Sequence, residues 1–277
     1  MSTLKDFKSA PFELYSTTTV AGGVKNSDAN LDTMVGSRFA SGDGREFVLV
    51  QNAGTALGAG VVVQGPAAQA NAVGLSPATT STTGYTVALG PIAAAVGGKV
   101  IQIASGATAI LANRFSGGYL NVVEGTGLGQ TMKIASNSAA STTSAFSVVL
   151  EDPFTTATST DSRYTLTINP FGSQNGTDFT TDGVIISPAT TLTGQILGVT
   201  CYPIPASTAT VPSYGFIQVK GPVAVLATGT VAMGLNVCVP SSTPGAVATY
   251  TVAAGPVIGS VLVASASAKY NMINVQL

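Results

Sequence analysis

Charge is what this chain has least of. Its 277 residues include 11 basic and 12 acidic side chains, with a formal net charge of −1. An ordinary soluble domain devotes about a quarter of its residues to Asp, Glu, Lys and Arg; here the share is 8%. Histidine and tryptophan are absent, and the two cysteines, Cys201 and Cys238, are far apart. Each gap removes a class of chemistry. Without His there is no Ser-His-Asp triad, no Cys-His pair, no imidazole ligand and no His-based pH switch. Two distant cysteines make neither a four-ligand zinc site nor a CxxC pair, and read as small core residues or as one disulfide. Sparse, balanced charge offers no basic footprint for nucleic acid. No uninterrupted apolar run approaches the ~18 residues of a membrane helix. Met1-Ser2-Thr3-Leu4-Lys5-Asp6-Phe7-Lys8 lacks the apolar stretch of a signal peptide. We therefore expect no membrane partner, no metal and no cofactor.

The few charges are unevenly placed. Eleven lie in the first 50 residues, none lies between Phe47 and Gly98, and residues 183–277 hold only Lys220 and Lys269, with no acid. Domains usually keep apart through mixed surface charge. A surface this bland is expected to be shared with neighbours, above all in 183–277. Val, Ile and Thr together supply 80 residues, which separates the chain from disordered sequences and favours the pleated surface of a sheet.

Short apolar or alternating runs recur between Gly, Pro, Asn and Ser. They fall at 47–50, 61–63, 99–103, 119–123, 131–135, 146–150, 164–168, 184–186, 196–201, 216–220, 223–227, 235–239, 249–252, 257–263 and 272–277. Tyr164-Thr165-Leu166-Thr167-Ile168 has a clean period of two, one face apolar and the other hydroxyl. Pro91-Ile92-Ala93-Ala94-Ala95-Val96 could make one short helix. The predicted fold class is all-β: two β-sandwich or barrel-like units with an extended N-terminal arm. Residues 1–45 form the arm, 46–94 and 173–277 a domain built from both ends of the chain, and 95–172 a central domain. In the arm, Lys5, Phe7, Lys8, Phe12, Leu14 and Tyr15 are the candidate partner-binding residues, the aromatics serving as anchors on a polar background.

One pattern recurs. Thr55-Ala56-Leu57-Gly58-Ala59-Gly60 is echoed at Thr108-Ala109-Ile110-Leu111-Ala112-Asn113 and at Thr230-Val231-Ala232-Met233-Gly234. The first and third copies follow related strands, Phe47-Val48-Leu49-Val50-Gln51 and Phe216-Ile217-Gln218-Val219-Lys220. This suggests one β-hairpin element reused in two units.

Catalytic candidates are few. Gly125-Thr126-Gly127-Leu128-Gly129-Gln130 lacks both the GxGxxG spacing and a following helix, and reads as a glycine-rich hairpin. Glu151 and Asp152, adjacent on a strand end, point to opposite faces. Asp178 and Asp182 lack the remaining acids of a calcium loop. If the chain hydrolysed glycans, which takes two carboxylates across a cleft, Glu124 and Glu151 would be the pair. No enzymatic activity is expected.

Several stretches resemble a family of tailed-bacteriophage virion proteins, the capsid decoration or cement proteins. They are Gly44-Arg45-Glu46-Phe47-Val48-Leu49-Val50-Gln51, Gly127-Leu128-Gly129-Gln130-Thr131-Met132-Lys133-Ile134, Leu150-Glu151-Asp152-Pro153-Phe154 and Tyr214-Gly215-Phe216-Ile217-Gln218-Val219-Lys220-Gly221-Pro222. The resemblance covers most of 44–277 and carries no catalytic signature. It implies a structural protein on the capsid exterior that binds the major capsid protein, clamps neighbouring subunits and forms a homotrimer, assembled in the bacterial host cytoplasm. A receptor-binding or fibre-type virion module recognising host-surface glycans is the alternative.

Overall fold

The computed structural model describes residues 35–66, 93–105, 109–142, 144–172, 179–239, 242–251, 255–264 and 269–277; at Val24–Lys25, Ala72–Leu75 and Ala104 it describes the backbone alone. The fold is all-β, with no helix among the described residues. Two compact units are present. The first comprises Met1–Ala67, Pro170–Gly172 and Asp178–Leu277, the second Ala68–Asn169 and Ser173–Thr177. In chain order the first unit holds β1 (Val24–Lys25), β2 (Arg38–Ala40), β3 (Glu46–Asn52) and β4 (Val62–Gln64). The second holds β5 (Ala72–Leu75), β6 (Val100–Ala104), β7 (Tyr119–Glu124), β8 (Thr131–Asn137), β9 (Ala145–Leu150) and β10 (Arg163–Leu166). The first unit resumes with β11 (Ile185–Ile186), β12 (Ile196–Thr200), β13 (Ser213–Leu226), β14 (Asn236–Cys238), β15 (Ala248–Thr249), β16 (Val257–Val263) and β17 (Tyr270–Gln276).

The first unit is organised around the antiparallel pair β3 and β13. Both strands are apolar on both faces, so each face can close a separate core. Val48 and Val50 with Ile217 and Val219 belong to one buried cluster; Phe47 and Leu49 with Tyr214 and Phe216 belong to another. The pairing of β13 with β3 shifts register between Gln218 and Lys220 and ends at Lys220↔Glu46. Gly221 has φ +91°, and a Cβ there would meet Arg45 Cγ at 2.9 Å. Across that bend the strand pairs with β17, from Lys220↔Gln276 to Leu226↔Tyr270. Val223 and Val225 then enter a third core with Val237, Ile258, Ile273 and Val275. The sheet runs β11-β4-β12-β13-β17-β16-β14-β15. Its two ends meet, because Val62 N–H donates to Gly245 O (2.8 Å) and Gly245 N–H to Ser187 O (2.9 Å). The curl therefore encloses the third core.

The second unit is a six-stranded sheet, β5-β10-β7-β8-β9-β6. Its strands alternate between buried and exposed side chains, and their inward residues form one cluster that includes Ile101, Phe115, Leu120, Ile134, Phe146 and Tyr164. Asn137 ties a turn over this core: its Nδ2 donates to Leu111 O (2.9 Å), and its Oδ1 accepts from Phe115 N–H (2.9 Å).

Several local expectations change. The runs at 216–220 and 223–227 are one 14-residue strand, β13, because the bend at Gly221 redirects it without ending it. Residues 93–98 form no helix: Ala94 N–H donates to Thr158 Oγ1 and Gly97 N–H to Phe154 O, so the backbone bonds leave sideways. Within the 1–45 stretch read as an extended arm, Val24–Lys25 pairs with β13 and Arg38–Ala40 with β3. Ala72–Leu75, inside the 46–94 stretch, pairs with β10 of the second unit. The second copy of the recurrence lies in the second unit, and the first and third copies lie in the first. Their related strands are β3 and β13, which pair with each other so that the equivalent residues Val48 and Ile217 are direct partners. The two strands are thus related by a local two-fold.

Ile217 is fully buried between the double-sided strands. Ile217→Ala should cost about 2–5 kcal/mol in urea or guanidinium unfolding. A loss below about 1 kcal/mol would show that this pair is not the centre of the unit.

Candidate interaction surfaces

The residues singled out in the arm, Lys5, Phe7, Lys8, Phe12, Leu14 and Tyr15, lie outside the described residues. The part of the N-terminal segment that is described feeds a charge cluster. The β2–β3 hairpin places Arg38 Nη1 3.7 Å from Glu46 Oε2. On the other side of β3, the register sets Glu46 opposite Lys220, whose Nζ donates to Oε1 at 2.9 Å. In the hairpin turn Asp43 accepts from Arg45 N–H and Nε, the latter at 2.7 Å, and the Arg45 guanidinium lies over Phe47. The sequence placed Lys220 alone at a strand end; it sits mid-strand in an ion pair. Among the first unit's described side chains only Asp182 and Lys269 carry charge outside this cluster, and Asp182 is buried.

The opposite character marks the outer face of β13, β17 and β16. Beyond the bend, alternate residues of β13 and β17 point away from the third core. Register stacks them in rows: Pro222, Asn274, Ser260 and Asn236; then Ala224, Met272 and Val263; then Leu226 and Tyr270. A bulge between Val261 and Val263 adds Leu262. These rows contain no charged residue. Tyr270 is 55% exposed, Val263 56% and Met272 45%. The Tyr270 ring is held in place, its hydroxyl donating to Ala59 O at 3.2 Å. It lies so close over Gly60 that a Cβ there would meet Cε1 at 2.5 Å.

In the second unit, Gly125–Gln130 is the β7–β8 hairpin turn. Its Leu128 and Gly129 N–H groups donate to Gly125 O and Val122 O, so they are not turned outward to cradle a phosphate. Gln130 fastens the turn to a neighbouring loop: Nε2 donates to Gly127 O and Thr156 O, and Oε1 accepts from Thr155 and Thr156 N–H. Leu128 stands at the tip, 67% exposed. Of the carboxylates considered for glycan hydrolysis, Glu124 pairs with Arg163 Nε and Glu151 with Lys133 Nζ, each at 2.9 Å on an exposed surface. No group of three or more His, Cys, Asp or Glu gathers among the described residues. No described helix is long and apolar enough to cross a membrane. Cys201 and Cys238 are both free thiols. Burial pushes the Cys201 thiol up to about 11 and raises Cys238 as well. No protein-family profile, curated protein or solved structure matches the chain.

At pH 8 a thiol titrating near 11 is thiolate in about one molecule per thousand. A disulfide-exchange reagent should therefore label neither cysteine quickly in the native protein and both after guanidinium; rapid native labelling of Cys201 would contradict its burial. The bond from Lys220 holds the Glu46 carboxyl below its ordinary 4.5. A carboxyl depressed on folding stabilises above its unfolded pKa, and that contribution is lost as pH falls through the folded value. Lys220→Met should flatten the decline in thermal midpoint below about pH 4.5, with the difference from the unsubstituted protein shrinking at high salt because the pair is exposed.

Proposed function

We propose that this protein is a structural virion component: a bacteriophage cement, or decoration, protein. It binds the major capsid protein on the outside of the capsid and clamps neighbouring subunits, as a homotrimer assembled in the bacterial host cytoplasm and without catalytic activity. The observation that carries this reading is the segregation of charge in the first unit. Ion-paired residues, Lys220 among them, gather where the N-terminal segment joins the sheet, while the outer rows of β13, β17 and β16 from Pro222 to Tyr270 are charge-free and partly apolar. Exposed apolar surface of this kind marks a contact site. A body with one docking end and one neutral face suits a protein that bridges neighbours. The stretches resembling decoration proteins include β3 and β13, the two strands around which that unit is organised. Each contact need only be modest, because many copies act on one shell and their stabilisation adds by linkage.

The glycan-binding alternative expects an exposed aromatic and carboxylate patch at a distal tip and measurable glycan binding. Asp43, Glu46, Glu124 and Glu151 are each engaged by a cation, while Asp152 and Asp161 are exposed in the second unit, so measured glycan binding separates the two readings.

Mixing the purified protein with capsids that lack it provides the test. Saturable binding that raises the capsids' heat resistance is expected. Deleting residues 1–23, which leaves β1 and β2 in place, should weaken binding at least tenfold without changing the far-ultraviolet circular dichroism. Absence of binding would overturn the cement reading; binding indifferent to the deletion would remove Lys5, Phe7, Lys8, Phe12, Leu14 and Tyr15 as anchors.

A further inference from the structure

We infer that the outer face of β13, β17 and β16 is the surface through which copies of this chain associate, so that its occupant is a second copy. The inference takes from the proposed function only the expectation of self-association and adds the surface that performs it. An ordinary sheet face exposed to water would carry Lys, Glu or Thr at alternate positions. Here Lys220 and Gln276 end the face on one side, and the outward positions past them include Pro222, Ala224, Met272, Val263 and Tyr270, with Leu262 added by the bulge. Tyr270 is already fixed by Ala59 and Gly60, so little of its rotamer freedom remains to be lost on docking. A rigid, amphipathic aromatic with apolar neighbours is the usual form of an interface hot spot.

Charge identifies the occupant. The face offers no counter-ion across its central rows. A partner that placed a Lys or Asp there would lose that group's hydration and gain no pair. The fitting partner is one whose own surface is poor in charge. This chain is such a partner, with 8% charged residues overall and two lysines as the only charges in 183–277. The polar row beside the apolar one is self-compatible too: Asn274, Ser260 and Asn236 each both donate and accept hydrogen bonds, so they can pair with neutral groups of the same kinds. Apolar centres depleted of charge are the mark of interfaces between identical subunits.

The test uses the full-length protein, followed by sedimentation velocity and light scattering across concentration. Met272→Glu and Val263→Lys are compared with Leu128→Lys, an apolar-to-charged change at a more exposed position in the second unit. The unsubstituted protein and Leu128→Lys should sediment as the same oligomer. Met272→Glu and Val263→Lys should each weaken association at least tenfold, with an unchanged circular dichroism spectrum and thermal midpoint of the dissociated species. A monomeric unsubstituted protein, or an oligomer indifferent to both substitutions, would overturn the inference. Capsid binding, measured in parallel, separates the two readings. If the face governs the oligomer but no form binds capsids, the surface assignment stands and the cement function falls. If the protein is monomeric yet Met272→Glu abolishes capsid binding, the face belongs to the shell contact and the second copy is ruled out.

Discussion

The first unit depends on one pairing, β3 against β13, in which both partners are buried on both sides. Such strands leave no outward position for a charged side chain. From Phe47 to Asn52, and from Ser213 to Val219, every residue is buried. The polar ones are amides and hydroxyls, some with backbone partners, Asn52 Nδ2 donating to Thr55 O and Pro205 O and Ser213 Oγ to Ala206 O. The Tyr214 hydroxyl and the Gln51 and Asn52 side-chain oxygens are buried without a partner among the described residues. Charge resumes where the strands leave the interior, at Glu46 and Lys220, and there the two residues pair with each other. Part of the low charge content thus follows from geometry and has no bearing on partners. The outer face of β13, β17 and β16 is a different case. Past Lys220 it is exposed and still uncharged, and burial within the unit does not account for it.

Much of the sheet architecture was legible because period-two patterns are local. Tyr164-Thr165-Leu166 and Phe146-Ser147-Val148 announce both strand and facing, and their apolar members are the buried ones. The segment 216–227 misled because Lys220-Gly221-Pro222 has the composition of a stop. What it encodes is a bend, and only the partner strands on either side, β3 and β17, decide between the two. Strands β2 and β5 escaped notice for another reason. With three and four residues they are held by pairing with β3 and β10, and carry too few side chains to show a period.

The candidate surface was legible only in outline. Scarcity of charge in 183–277 suggested shared surface, but β17 is apolar at both sets of alternate positions. Ile273 and Val275 could have exchanged faces with Tyr270 and Met272 on pattern alone. Which pair lies outward is set by the core that Val223, Val225 and Ile258 build on the other side. The hydrogen bond from Tyr270 to Ala59 joins residues 211 positions apart and leaves no mark in either neighbourhood.

The reach of the β3–β13 contact also orders events in time. Glu46 and Lys220 are separated by 174 positions, so the pairing must wait until most of the polypeptide has left the ribosome. The second unit lies almost entirely within one uninterrupted stretch, Ala68–Asn169, and its strands can find one another while synthesis continues. At roughly 5–20 residues per second, β3 then spends seconds with its two apolar faces unmatched. Nascent chains of this protein are at greatest risk of misassociation in that interval, and a binder of exposed apolar strands would shield them until β13 arrives.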